Sequence, residues 1–319
     1  MVHRARSVGL AVNDYRRYHG HAAPAGQVSN AGNGRALMMY FTHSVEKGLS
    51  RQDFRPGFGE RPVSALAKLM NAWIDEGRGQ EDSFFVSACA SMRVYFTRHQ
   101  QLGIDVGDKR ALFSHAVLEA ISRTSEDGGV RELELAGPRP EGFALLATRR
   151  VSLREFDQGP VANDVVIRAI ETALSAPSAC NRQSARVHVI SEPDLIDRVL
   201  RIQGGLGGYS RPPLLVLITS ETSCYVEATE RNQPFVDGAL FAMSLIYALE
   251  DAGLGTCALT SMLWSDREKS VRQLLSLSPS EALVTFVAIG QRPARSVVPY
   301  SRRESATDIT TIHSIQEHR

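Results

Sequence analysis

Residues 145–190, LLATRRVSLREFDQGPVANDVVIRAIETALSAPSACNRQSARVHVI, constrain the fold most tightly, because three different local patterns follow one another there. The first is a basic, hydroxylated entry of Arg149, Arg150, Ser152 and Arg154. Guanidinium groups present a fork of donors that matches phosphate oxygens, so this composition suits a phosphate. The second is a helix, capped by Asn163, with apolar residues at Val166, Ile170, Ala173 and Leu174 at a period that buries one face. It is expected to stop at Ala176, because Pro177 disfavours helical geometry in the residue before it. The third is the polar turn Ser178–Gln183 running into the apolar stretch Val187 to Ile190, which reads as a buried strand. A turn carrying hydroxyl and carboxamide groups between a buried helix and a buried strand suits a planar polar ligand.

The rest of the chain sets bounds. Its 319 residues, 43% hydrophobic and 22% charged, suit one large or two moderate globular domains. A net charge of +1 gives no electrostatic reason to expect nucleic acid or a membrane as partner. Cys89, Cys180, Cys224 and Cys257 lie far apart, with no spacing for a metal or a disulfide framework, so no metal is expected and a reducing cytoplasm fits. The apolar run after Ser7 is broken by Asn13 and Asp14, too short for a signal segment. No stretch reaches the roughly 20 apolar residues of a membrane helix.

Residues 1–34 show no sustained period and read as a loose arm. From Arg35 to about Arg123 the pattern is helical, with stripes beginning at Leu37, Val63, Phe85 and Phe113. One segment, Phe41 to Leu49 followed by Phe54 to Gly59, instead mixes His43, Glu46, Lys47 and Arg55 with glycines and aromatics, as ligand-facing loops do. The alternative is structural: a solvated Glu46/Lys47 pair, Gly48 as a helix cap and Pro56-Gly57 as a turn. Residues 124–140 read as a linker, which divides the chain into a helical extension over 1–140 and a second domain over 141–319.

In that second domain, Ser191 to Asp194 opens a helix to about Ile202. The Gly204–Gly208 cluster follows this helix, which is not the context of a dinucleotide fingerprint. Leu214 to Ile218 suits a central strand, and the helix through Asp237 to Leu249 is apolar nearly all round, so it needs cover from a core or a second subunit. Asp237 itself reads as a cap at that helix's positive end. Ser265 to Glu268 forms another capping pattern, opening a helix through Leu275, and Leu283 to Ile289 reads as a strand that Gly290 ends.

The pattern Arg150-x-Ser152-x-Arg154-x-Phe156, followed by Ala176-Pro177-Ser178-x-x-Asn181-x-Gln183, resembles the two opening motifs of the FMN-dependent nitroreductase family. That family usually continues Gln-Pro-Trp, where this chain has Gln183-Ser184-Ala185. The resemblance implies an α+β fold, a central mainly antiparallel sheet flanked by helices, here preceded by an all-helical region. It implies non-covalent FMN, with Arg150, Ser152 and Arg154 on phosphate and ribityl groups, and a homodimer in which Pro177, Ser178, Asn181 and Gln183 reach the partner's flavin. Leu259, Thr260 and Ser261 follow the family's strand beside the ring, making Thr260, then Ser261, the candidate that faces N5. Where the family carries Lys-Ser and Arg against the phosphate, this chain has Tyr300-Ser301-Arg302-Arg303, so Arg302 or Arg303 would supply the charge. Phe41 to Gly59 resembles an extension of nitroreductase-like proteins associated with bacterial polysaccharide biosynthesis, and His43 in it could supply a proton to a reduced acceptor. The implied function is reduction of a small nitro, quinone or enone acceptor by NAD(P)H in a ping-pong cycle, NADH and NADPH both remaining open. The alternatives are a flavoenzyme acting on a specific saccharide or other biosynthetic intermediate, and an FMN-storage protein without turnover.

Overall fold

The computed structural model describes residues 8–16, 31–135 and 142–313; Pro138 and Pro140 of the expected linker, and the arm apart from 8–16 and 31–34, lie outside these. In chain order the elements are α1 (residues 8–16), α2 (Ala31–Leu49), α3 (Glu60–Asp75), α4 (Ser83–Gln101), α5 (Gly107–Arg110), α6 (His115–Arg123), β1 (Val130–Glu134), α7 (Phe143–Arg149) and α8 (Asn163–Ala173). They continue with β2 (Ala185–Ile190), α9 (Pro193–Gln203), β3 (Leu214–Glu221), α10 (Gln233–Asp251), β4 (Leu254–Thr260), α11 (Ser265–Leu274), β5 (Glu281–Gln291), β6 (Arg295–Pro299) and α12 (Ala306–Ile309). Two compact units result, one of residues 1–16 and 133–296, the other of 17–132 and 297–319. β1 and β6 form a separate two-stranded sheet. The arm is thus not featureless, because residues 8–16 are helical and α2 begins before Arg35. None of the described helices is long and apolar enough to cross a membrane.

The first unit is built on the antiparallel sheet β2-β3-β5-β4. β3 takes an interior position because every residue from Leu214 to Ser220 is buried, which only a strand covered on both faces allows. Leu214, Val216 and Ile218 point to one face, where they meet Val166 and Ala169 of α8 and Phe241, Leu245 and Leu249 of α10. The expected buried strand at Val187 to Ile190 proves to be the edge strand β2, with Val189 at 42% exposure, because nothing pairs with its outer side in this sheet. α8 begins at Asn163 with Ala162 as its cap and ends at Ala173, earlier than Pro177 requires, and Leu174 turns outward. α9 occupies nearly the expected span, but its cap is Glu192 and not Ser191: the Glu192 carboxylate accepts from the Leu195 amide at 2.6 Å, and Gly204 ends the helix at φ 83. α11 is capped by Trp264 without a side-chain bond, not by Ser265, and β5 runs through Gly290 to Gln291.

Three strands of this sheet are clasped by one carboxylate. Glu281 of β5 accepts from Thr219 of β3, and its Oε2 lies 2.6 Å from Nε2 of His188 on β2. Burial raises the Glu281 pKa, but the hydrogen bonds from Thr219 and His188 outweigh it, so the carboxyl sits below its ordinary 4.5. A depressed folded pKa gives stability that is present above the unfolded value and lost as pH falls through the folded one. Urea unfolding of wild type against Glu281→Gln is therefore expected to show a gap that is constant above about pH 5 and narrows steadily below pH 4.5. A gap that does not change with pH would contradict this.

In the second unit the four stripes close on one another. Met38, Val45, Leu66, Met70, Phe85, Met92 and Tyr95 are all fully or almost fully buried in one cluster. Phe41 to Leu49 is helical and not a loop, and Pro56-Gly57 is the expected turn, but two details of the structural alternative are corrected. Glu46 is not a solvated partner of Lys47: it is 1% exposed, its Oε1 accepts from Ser91 Oγ at 3.2 Å, and its Oε2 lies 3.7 Å from His43 Nδ1. Gly48 is not a cap but the next-to-last residue of α2, where a Cβ would run into the Phe58 ring. Phe58 in turn meets Tyr95 edge-on, and the Tyr95 hydroxyl donates to the Phe58 carbonyl at 2.7 Å.

Candidate flavin site

The basic entry is an extended segment laid along the outer side of β4. Ser152 bridges Thr256 in parallel sense, the Leu153 amide donates to the Thr256 carbonyl at 2.8 Å, and Asp157 bridges Gln291. Extended backbone alternates its side chains. Val151 and Leu153 are buried, so Ser152 and Arg154 stand on the opposite, accessible side, with Phe156 buried further on. Two glycines make the close approach possible: a Cβ on Gly255 would meet Leu153, and one on Gly290 would stand 2.7 Å from Cβ of Phe156. Arg149 does not join the accessible row, because its Nη2 donates to the Leu135 carbonyl at 2.8 Å.

The second motif is a tight, strained turn. Cys180, Asn181 and Gln183 adopt φ of 51, 54 and 49 degrees, with Arg182 between them at φ −78; such left-handed values are rare for residues with a Cβ and costly unless the surroundings impose them. The restraints are visible. Ser178 Oγ accepts from the Gln183 amide at 3.0 Å, and the Asn181 amide donates to the Ser178 carbonyl at 2.9 Å. Arg182 forks onto Glu230, with one bond of 3.1 Å, and lies over the Tyr225 ring at 4.9 Å. Glu230 is held down at a pKa of about 2, first by Arg182 and then by the amides of Val226 and Glu227. Pro177, Asn181 and Gln183 are left exposed, with Ser178 half-buried, and Pro177, Ser178 and Gln183 border a cleft with Ser184, Asp237 and Phe241.

The third piece is the end of β4. Leu259 is buried, Thr260 is exposed, and Ser261 is buried with no hydrogen-bond partner for its Oγ. Thr260 Oγ1 accepts from the Met262 amide at 3.1 Å, which leaves its own proton to be donated elsewhere. Gln203, which sequence reasoning did not single out, ties this strand end to the glycine-rich loop: its Nε2 donates to the Thr260 carbonyl at 3.0 Å and its Oε1 accepts from the Gly205 amide at 2.6 Å. All these residues belong to the first unit. Arg302, Arg303 and His43 belong to the second, where Arg302 donates to Glu126 at 2.9 Å and to the Asp127 carbonyl at 3.1 Å. Among the described residues no His, Cys, Asp and Glu cluster is arranged for a metal.

The sequence model of the nitroreductase family matches residues 147–207 and 207–291. Over these residues the chain is similar to the nitroreductase family. The match spans the basic entry, the strained turn and the end of β4. Among solved structures, a nitroreductase family protein of Streptococcus pneumoniae TIGR4 is 18% identical, with a TM-score of 0.48, covering 54% of this chain and 100% of that one. A nitroreductase family protein of Clostridium difficile 630 is 18% identical at a TM-score of 0.47, covering 55% and 99%. A candidate NAD(P)H:FMN oxidoreductase of Staphylococcus epidermidis is 15% identical at 0.49, covering 55% and 98%.

Proposed function

We propose that the nitroreductase-like domain binds FMN and catalyses two-electron reduction of a small organic acceptor, of nitro, quinone or enone type, at the expense of NAD(P)H. The observation that carries this reading is the accessible pair Ser152 and Arg154 on a segment whose Leu153 and Phe156 are packed against Gly255 and Gly290. The residues fit the cofactor. Arg150 and Arg154 offer bidentate donors to a phosphate, Ser152 a hydroxyl, and Thr260 and Ser261 offer protons that nothing among the described residues accepts. When bound, FMN supplies the hydride-accepting and hydride-donating chemistry. The chain's part is to hold the phosphate, orient the ring beside Leu259 and Thr260, and donate hydrogen bonds to its polar edge.

The same reading includes a homodimer in which Pro177, Ser178, Asn181 and Gln183 reach the flavin held mainly by the other subunit. α10 supports it, because one side of that helix packs on the sheet while Phe235, Val236, Leu240 and Met243 stand 36–50% exposed. Sedimentation is expected to give a dimer at working concentration, and a stable FMN-loaded monomer would refute this part.

The central test is the absorption spectrum of purified protein before and after anaerobic NAD(P)H. A flavin spectrum that bleaches on reduction is expected. Arg154→Ala should weaken FMN binding by about 1.5–3 kcal/mol, the loss of a charge-assisted contact, read by flavin fluorescence titration. A flavin-free protein that FMN cannot reconstitute would overturn the proposal.

A further inference from the structure

Asp237 is the residue the structure explains least by packing alone. It lies inside α10, in that helix's second turn, so the expected role as a cap at the helix start does not hold. It is 3% exposed, yet no cationic side chain is among its bonded partners in the first unit. A buried carboxylate is costly unless its oxygens are satisfied by donors. Here they are: Oδ1 accepts from Gln233 Nε2 at 2.8 Å, and Oδ2 accepts from the Tyr225 hydroxyl at 2.8 Å and from the Ala179 amide at 3.1 Å. The last bond crosses from α10 to the strained turn, and it lands one residue before Cys180, the first of the turn's left-handed residues.

Tyr225 extends the clasp. Its oxygen is 2.6 Å from Ser184 Oγ, which is itself 2.7 Å from Ser220 Oγ on β3, so the residue following the turn is fixed by the same hydroxyl that Asp237 binds. Burial first, and then the Asp237 charge, keep the Tyr225 hydroxyl protonated beyond its ordinary range, as a donor to that carboxylate must be. The turn is therefore gripped at both ends, Ala179 by Asp237 directly and Ser184 through Tyr225, with Arg182 and Glu230 at its middle.

We infer that Asp237 is the positioning residue of the site: by accepting from Ala179 and Tyr225 at once it imposes the backbone that presents Ser178, Asn181 and Gln183 to the ligand. It touches no reacting atom. This inference rests on the proposal that the turn serves a flavin, but the grip itself is a property of the protein alone. The acceptor at Oδ2 is what matters, and Asn can keep it. In Asp237→Asn the carboxamide oxygen can occupy the Oδ2 position, and Gln233 need only flip its amide to accept from the new Nδ2. Asp237→Ala leaves the Ala179 amide and the Tyr225 hydroxyl without their acceptor.

The test compares wild type, Asp237→Ala, Asp237→Asn and Gln233→Ala by hydrogen exchange of the 176–184 segment, with exchange in β3 as the control for folding, and by FMN titration. Asp237→Ala is expected to speed exchange of the Ala179 amide about tenfold while β3 stays protected, and to weaken FMN; Asp237→Asn should restore both, and Gln233→Ala should change neither. Equal exchange in the 176–184 segment of wild type and Asp237→Ala would overturn the inference, as would an Asp237→Asn protein that behaves like Asp237→Ala. If Asp237→Ala fails to fold, Tyr225→Phe is read in its place. It removes the hydroxyl that links Asp237 to Ser184, so faster exchange confined to the end of the turn is expected, and unchanged exchange overturns the grip. A wild-type protein that binds no FMN would sink the functional proposal and leave the exchange result to decide this one.

Discussion

Arg292→Ala is expected to lower the free energy of unfolding by about 3–5 kcal/mol, read from urea denaturation near neutral pH. Glu250 lies in the last turn of α10, 3% exposed, at the helix end where the backbone dipole disfavours a negative charge. Its two carboxylate oxygens find no hydrogen-bond partner among the described residues, and its compensation is the ion pair with Arg292, whose side chain is 9% exposed. Arg292 also donates to the Leu254 carbonyl at 3.3 Å, so the pair fastens the end of α10 to the start of β4. Removing the guanidinium strands a buried charge, which costs far more than the pair contributes when intact. The discriminating control is the double variant Arg292→Ala with Glu250→Gln. It should recover a large part of the loss, since the charge that needed a partner is gone. An Arg292→Ala protein within about 1 kcal/mol of wild type would mean that water reaches Glu250 and that the pair behaves as a surface one.

Gly290→Val is expected to cost about 3 kcal/mol of stability and to deplete flavin from the purified protein. Gly290 pairs with Gly255 in the β4–β5 ladder, and a Cβ at this position would stand 2.7 Å from Cβ of Phe156. Phe156 is 8% exposed and cannot retreat easily, because the next residue is tied to β5 by the bond from the Asp157 amide to the Gln291 carbonyl at 3.1 Å. The whole 150–157 segment would have to lift, carrying Ser152 and Arg154 away from the row in which they stand. Gly255→Ala makes an informative comparison. There the obstructing atom is the flexible end of Leu153, which can swing aside, so a smaller loss is expected. Thermal unfolding together with the ratio of flavin to protein absorbance reads both effects. Equal stability and full flavin content in Gly290→Val would show that the segment is not locked under Phe156.

The sequence determined the kinds of element and their order where local chemistry decides them. The apolar run of β3 demanded an interior strand, and the stripes from Val63 and Phe85 produced a helical unit with its own core. What local signals could not give was which faces would be covered. Val187, Val189 and Ile190 flank His188 in β2, which lies at the edge, because strand order is a tertiary property. The same gap explains Glu46, Gly48 and Asp237. Each was read by its nearest neighbours in sequence, as a solvated charge, a helix end and a helix cap. Each has its role fixed by a distant partner: Ser91 for Glu46, Phe58 for Gly48, and Ala179 and Tyr225 for Asp237. A buried polar group must find its donor wherever the fold brings one, and a glycine is required wherever another chain segment crosses, so neither requirement is written in the residues beside it.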